Sequence, residues 1–277
     1  IKGEALLDQN FPMIHAVGRA SDQQPRLLDM QWGENNNPKI TLVGKGVCFD
    51  TGGLNIKPTA SMGLIKKDMG GSATVLGLAH MIMSLNLKVN LRVIIPAVEN
   101  SISSNSFRPQ DILISRKGMS VEINHTDAEG RLILADALSL ADEDKPDLLI
   151  CNATLTGAAR VALGPDMPPF FTDDDELADQ IQKASIENVD PLWRMPFWAP
   201  YESLIEPEVA DLDNAPKGGF AGAITAALFL RRFVEKSKYF VHFDLFAWSP
   251  VHKPSQTQGG ACQSARAMLS VIEKRYE

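Results

Sequence analysis

The chain is poor in cysteine and has no long apolar run. Its three cysteines, Cys48, Cys151 and Cys262, are odd in number and form no CxxC pair. That argues against a disulfide framework and for reduced thiols in a cytosolic-type compartment. Cys48 and Cys151 lie in apolar runs, and Cys48, with no histidine near it in sequence, reads as a small core residue rather than a nucleophile. The longest apolar stretch, Phe220 to Leu230, falls well short of the ~20 residues that cross a bilayer, and no secretory hydrophobic region is present. Basic runs are missing too, and a formal net charge of −7 speaks against nucleic acid or an anionic membrane as partner. None of the five histidines sits in an HExxH pattern. Gly44, Gly46, Gly52 and Gly53 do not have the spacing of a phosphate-binding loop. The chain begins at Ile1 rather than methionine, so it reads as a trimmed or processed piece with any targeting signal out of view.

What is there suits one sizeable core: 277 residues, 44% hydrophobic and 22% charged. Lys39 to Val43, Val89 to Pro96, Leu148 to Ala153 and Tyr239 to Leu245 are short, apolar and β-branched, and read as buried strands. Between and after them run helical patterns over Ala73 to Leu85, Arg131 to Asp142, a segment opened by Thr172 with Leu177, Ile181 and Ala184 inward, and Ser264 to Arg275. Strand alternating with helix predicts a three-layer α/β/α sandwich around a mixed, mostly parallel sheet. Pro165 to Pro169 and Lys253 to Gly260 read as loops. Residues 1–38 lack a core of their own and read as a lead-in packed on a domain spanning 39–277.

Charged residues embedded among glycines carry the functional signal. GKGVCFDTGGLNIK (44–57) holds Lys45, Asp50 and Lys57; KKDMGG (66–71) holds Asp68; HTDAEGRL (125–132) holds Asp127, Glu129 and Arg131. Each segment follows a predicted strand or precedes a helix, which is where α/β sheets bind ligands. Any one of them alone is more often a helix cap, a turn residue or a solvated charge. Together, four carboxylates in one cleft repel one another unless cations neutralise them, and two divalent ions do so while activating water for hydrolysis. A lysine ligates a metal only as the neutral amine; from the residues alone, either Lys45 or Lys57 can take that role, with the other facing an oxyanion. Arg131, beside Gly130 at a helix start, offers a seat for a small anion, which Leu155, Thr156 and Gly157 can complete. His125 reads as a support for the acids rather than a ligand.

With GKGVCFDTGG, IKPTASM, KKDMGGSA, PAVENS, HTDAEGRL and ATLTGAA in this order, the chain resembles the leucyl aminopeptidase, or cytosol aminopeptidase, family across nearly its whole length. The resemblance implies a zinc-exopeptidase-like fold and a metal-dependent aminopeptidase that removes one N-terminal residue, leucine or another apolar one, from peptides. It implies that Lys45, Asp50, Asp68 and Glu129 hold one divalent ion and Asp50, Asp127 and Glu129 the other, the metal being zinc, manganese or magnesium. It further implies Lys57 as the catalytic lysine and Arg131 as the holder of a bicarbonate base, with backbone help from Gly130 and Leu155. Ile65, Thr154 and Gly157 are the implied substrate pocket, a homo-hexamer the implied assembly and the cytoplasm the implied location. Two departures stand out: His125 replaces the family's usual Asn, and the family's separate N-terminal domain is missing from this chain. Two-metal phosphoester hydrolysis and a non-catalytic role on DNA are the rival readings.

Overall fold

The computed structural model describes residues 1–276. Its strands are β1 (Arg26–Trp32), β2 (Lys39–Gly44), β3 (Gly46–Asp50), β4 (Asn90–Asn100), β5 (Ile112–Ile114), β6 (Ser120–Glu122), β7 (Leu148–Ala153), β8 (Pro169–Phe171), β9 (Trp193–Arg194), β10 (Leu212–Asp213), β11 (Phe240–Asp244), β12 (Trp248–Ser249) and β13 (Gly259–Gly260), the last of these ending a segment expected as a loop. The helices are α1 (Ala5–Asp8), α2 (Pro12–Gly18), α3 (Thr59–Met62), α4 (Gly70–Ser84), α5 (Gly130–Glu143), α6 (Gly157–Leu163), α7 (Asp175–Glu187), α8 (Gly222–Arg231) and α9 (Ala265–Tyr276).

The main sheet runs β1-β4-β2-β7-β11-β8-β9, with β3 alongside the far end of β4. Its centre, β4-β2-β7-β11, is parallel, while β1 and β8 join antiparallel. Side chains of β2 and β7 are almost all buried, as apolar strands covered on both faces must be. One face packs on α2, α5 and α8 through residues such as Met13, Leu134 and Phe229. The other packs on α4, α7 and α9 through Leu78, Ile181 and Met268. The α/β/α layering is the one the alternating pattern predicts.

Several local expectations shift. Residues 1–38 supply β1, in seven-residue register with β4, and α2, whose Met13, Ile14 and Val17 enter the first core. The segment starting at Thr172 becomes helical only at Asp175; Asp174 is the cap, its carboxylate accepting the Leu177 N–H at 2.7 Å. Pro169, expected in a loop, begins β8. Cys48 is exposed rather than in the core. A register shift in β3 between Val47 and Phe49 leaves it as the extra residue of a bulge.

Candidate metal centre

The carboxyl ends of β2, β3 and β7 meet the loops before α4, α5 and α6, and there the predicted residues converge. The bulge in β3 precedes Asp50, which is buried and accepts from the Gly52 N–H at 2.9 Å, Asn100 Nδ2 at 2.9 Å and Lys57 Nζ at 2.7 Å. Gly53, at φ +62°, closes the turn after β3; a Cβ there would meet Thr126 Oγ1 at 2.9 Å. Lys45, between β2 and β3, extends buried into the cluster. Its Nζ lies 2.8 Å from both Asp68 carboxylate oxygens, 2.9 Å from the Thr154 carbonyl and 3.0 Å from Glu129 Oε1. Gly130 permits this path, since a Cβ there would sit 2.5 Å from Lys45 Cε. Lys57 Nζ also donates to Asp127 Oδ1.

Electrostatics divides the acids. Burial works against charge on Asp50, but Lys45 and Lys57 outweigh it and hold its carboxyl below the usual range. Glu129 is pushed up to about 8 by burial and by Asp50. Asp127 rises to about 6 for the same two reasons. Burial also disfavours the ammonium of Lys45, yet Asp68, Glu129 and Asp50 more than offset that and raise its pKa. Lys57 is likewise raised, chiefly by Asp50 and Asp127 acting against burial.

These residues fit cations on two observations. Asp50, Asp127 and Glu129 each offer a carboxylate oxygen within 4.8 Å of the others. Both Glu129 oxygens and Asp68 Oδ2 are buried without a hydrogen-bond donor, although Lys45 stands at ion-pair distance. Buried anionic oxygens left this way are costly unless a cation joins them. Arg131 presents the complementary vacancy in hydrogen bonding. Its Nε and Nη1 are buried without an acceptor, and burial lowers its pKa to about 10.

All the implied pocket residues, Ile65, Thr154 and Gly157, line one cavity of about 650 Å³ with Lys45, Asp50 and Arg131. Leu155 lines it too, but its N–H is taken by Asp244 Oδ1 at 3.0 Å, so it has no free amide to give an anion. Three supporting residues escaped the sequence reading. Asn100, at the end of β4, ties Asp50 to the Thr126 carbonyl at 3.1 Å. Asn214 holds the loop before α5, accepting the Asn124 N–H at 2.8 Å and donating to the His125 carbonyl at 2.8 Å. Asp244, at the end of β11, fixes the start of α6 through the Thr156 hydroxyl at 2.6 Å. Asn100 lies within PAVENS and Asp244 at a predicted strand end, so position alone pointed to both. His125 does lean on the cluster: its Nδ1 faces the Asp127 N–H at 3.2 Å.

A mostly parallel α/β/α sandwich carrying a lysine-and-carboxylate centre at its strand ends defines a class, the α/β proteins with a candidate two-metal site. Within that class the chain belongs to the cytosol aminopeptidase family: residues 1–269 match its catalytic domain. It is 45% identical to the cytosol aminopeptidase of Encephalitozoon cuniculi over 239 residues, 86% of this chain and 49% of that protein. To peptidase B of Pectobacterium atrosepticum it is 42% identical over 252 residues, 89% of this chain and 58% of the relative. The crystal structure of cytosol aminopeptidase from Coxiella burnetii superposes with a TM-score of 0.97 at 50% identity, covering 100% of this chain and 60% of that one. The bottromycin maturation enzyme BotP in complex with Mn does so with a TM-score of 0.94 at 33% identity, covering 100% and 62%. The chain thus spans about half the length of the curated relatives it matches.

Proposed function

We propose that this chain carries the catalytic centre of a metal-dependent aminopeptidase that hydrolyses the N-terminal residue from peptides. The observation that carries this reading is the pair of buried Glu129 oxygens with no donor, set among Asp50, Asp68, Asp127 and Lys45. Lys45, Asp50, Asp68, Asp127 and Glu129 would hold two divalent ions, zinc, manganese or magnesium; mainly oxygen ligation with one amine does not choose among them. When bound, such ions supply Lewis-acid polarisation and a water of lowered pKa. Lys45 must shed its proton to become a ligand, so loading is coupled to proton release.

The chain's own groups account for the rest. The Lys57 ammonium, raised in pKa and lining the cavity, stays protonated and can donate to the oxyanion that develops on the scissile carbonyl. The Arg131 guanidinium, buried with free N–H groups, suits a small planar anion such as bicarbonate acting as base. The first-turn amide of Gly130 in α5 points the same way, because helix starts leave N–H groups without intrahelical partners. Ile65, Thr154 and Gly157 would bound the side chain of the residue removed. A cytoplasmic homo-hexamer completes the proposal; the cytosol naming of the relatives supports the compartment.

The test is release of p-nitroaniline from leucine p-nitroanilide and from its N-acetyl derivative, in chelator and then with manganese or zinc. Metal-dependent cleavage of the free-amine substrate alone is the expected result. Equal rates with metal and with chelator would sink the proposal.

A further inference from the structure

One wall of the cavity carries charge that peptide cleavage leaves unused. Lys67 Nζ lies 4.6 Å from the ring centre of Phe246, and Arg160 Cζ lies 5.3 Å from the same ring centre. All three residues line the cavity that holds Ile65, Thr154 and Gly157. Among the described residues, neither cation forms an ion pair or donates a side-chain hydrogen bond. The carboxylates that act on Lys67 are Asp68 and Asp244. Both have closer partners: Asp68 has Lys45 and the Thr154 hydroxyl, and Asp244 has Thr156 and two backbone N–H groups. An aromatic ring attracts a cation only weakly and leaves its charge in place. A pocket for purely apolar side chains gains nothing from two cations held on one ring.

We propose, resting on the aminopeptidase reading above, that Lys67, Phe246 and Arg160 select peptides whose N-terminal residue is acidic. The side-chain carboxylate lies between ammonium and guanidinium, and its methylenes rest on Phe246. Position in the chain favours the first residue of the substrate. Arg160 follows Gly157 by three on α6, so both share a helix face, and Lys67 sits two residues past Ile65 in the turn before Asp68. This wall departs from the apolar preference that the family resemblance implies.

The test compares kcat/KM for the p-nitroanilides of glutamate, glutamine and leucine, with metal-loaded wild type, Arg160→Met and Lys67→Met. These substrates have no chain-end carboxylate, so only the side chain can meet the two cations. Glutamate should exceed glutamine by about tenfold or more, equivalent to ~1.4 kcal/mol, and each variant should cut that ratio by a similar factor. Calorimetric binding of free glutamate over free glutamine, equalised in the variants, gives a readout independent of turnover. Leucine cleavage with no preference for glutamate over glutamine overturns this inference and leaves the aminopeptidase reading standing. Failure to cleave all three overturns both. If Arg160→Met instead slows leucyl-glycine more than its C-terminal amide and leaves the glutamate ratio untouched, the cations serve the peptide's chain end and the proposal falls.

Discussion

Of the three buried carboxyls on α5 and its cap, Glu129, Asp136 and Asp142, the first two have opposite surroundings. Glu129, at its N-terminal cap position, is 1% exposed and neither oxygen accepts a hydrogen bond. Asp136, two turns further on, is 0% exposed and accepts three. Its Oδ2 takes the N–H groups of Met13 at 2.8 Å and Ile14 at 3.2 Å, and its Oδ1 takes that of Arg116 at 2.8 Å. Asp136 is therefore a cap supplied from outside α2, tying that helix and the turn after β5 to α5. Glu129 has no such job and stands open to a cation. Burial is the same in both, so the hydrogen-bond inventory separates a structural acid from a candidate ligand.

The widest separation should come from Glu129→Gln against Asp136→Asn. Losing a ligand should lower kcat/KM by more than about a hundredfold, since even groups that only support metal ligands cost 10–100-fold. Asp136→Asn should stay within a few-fold. The unfolding midpoint of chelated Glu129→Gln should fall little, because neither Glu129 oxygen accepts a hydrogen bond and the Lys45 ammonium, 3.0 Å from Oε1, keeps Asp68 as its closer partner. A large stability loss there would put Glu129 in the same structural role as Asp136. Next in size, Asp136→Ala orphans three backbone donors, two of them at the start of α2, and should cost about 3 kcal/mol in urea unfolding. Its affinity for manganese should be unaffected.

Metal itself sharpens the contrast by a similar amount. At a free concentration a hundred times Kd, a ligand that binds only the folded state adds about 2.7 kcal/mol. Asp136→Asn should keep that gain and Glu129→Gln should lose it. Calorimetry in buffers of different ionisation enthalpy should also detect protons leaving on metal uptake, as Lys45 is protonated in the metal-free cluster. No proton release would remove Lys45 from the ligand set.

Much of this was legible from sequence, and the limits have a physical origin. Lys45, Asp50, Asp68, Asp127 and Glu129 sit beside glycines at strand ends, and the parallel topology brings strand ends together. The strand readings of β2, β4, β7 and β11 rested on apolar β-branched runs, the most reliable local signal. What the chain order concealed were pairings across it. Asp136 meets Met13 from 123 residues away, and Asn214 meets Asn124 from 90. Lys67 and Arg160, 93 residues apart, share Phe246 only where the turn before α4, the helix α6 and the loop after β11 meet. Cys48 misled because its apolar neighbours predicted burial, while a single bulge in β3 turns it to solvent.

The smallest effect, and the one that tests the physics of the comparison most directly, is the pH dependence of stability at Asp136. Burial pushes its carboxyl up to about 7, against the pull of three amide donors and of Arg116. In the unfolded chain the same group titrates near ~3.9. A folded pKa above the unfolded one means that the native state binds the proton more tightly. The stabilisation is then fully present below the unfolded value and lost as pH rises through the folded one. Wild type should therefore lose stability from about pH 4 to pH 7.5 relative to Asp136→Asn, with a slope of at most ~1.4 kcal/mol per pH unit. Subtracting the variant, with both proteins in chelator, cancels the parallel titration of Glu129 and Asp127. A difference curve that rises with pH would mean that the three N–H groups outweigh burial. Asp136 would then be an anion held below its unfolded pKa by its donors, and donor count would set its ionisation as well as its structural role.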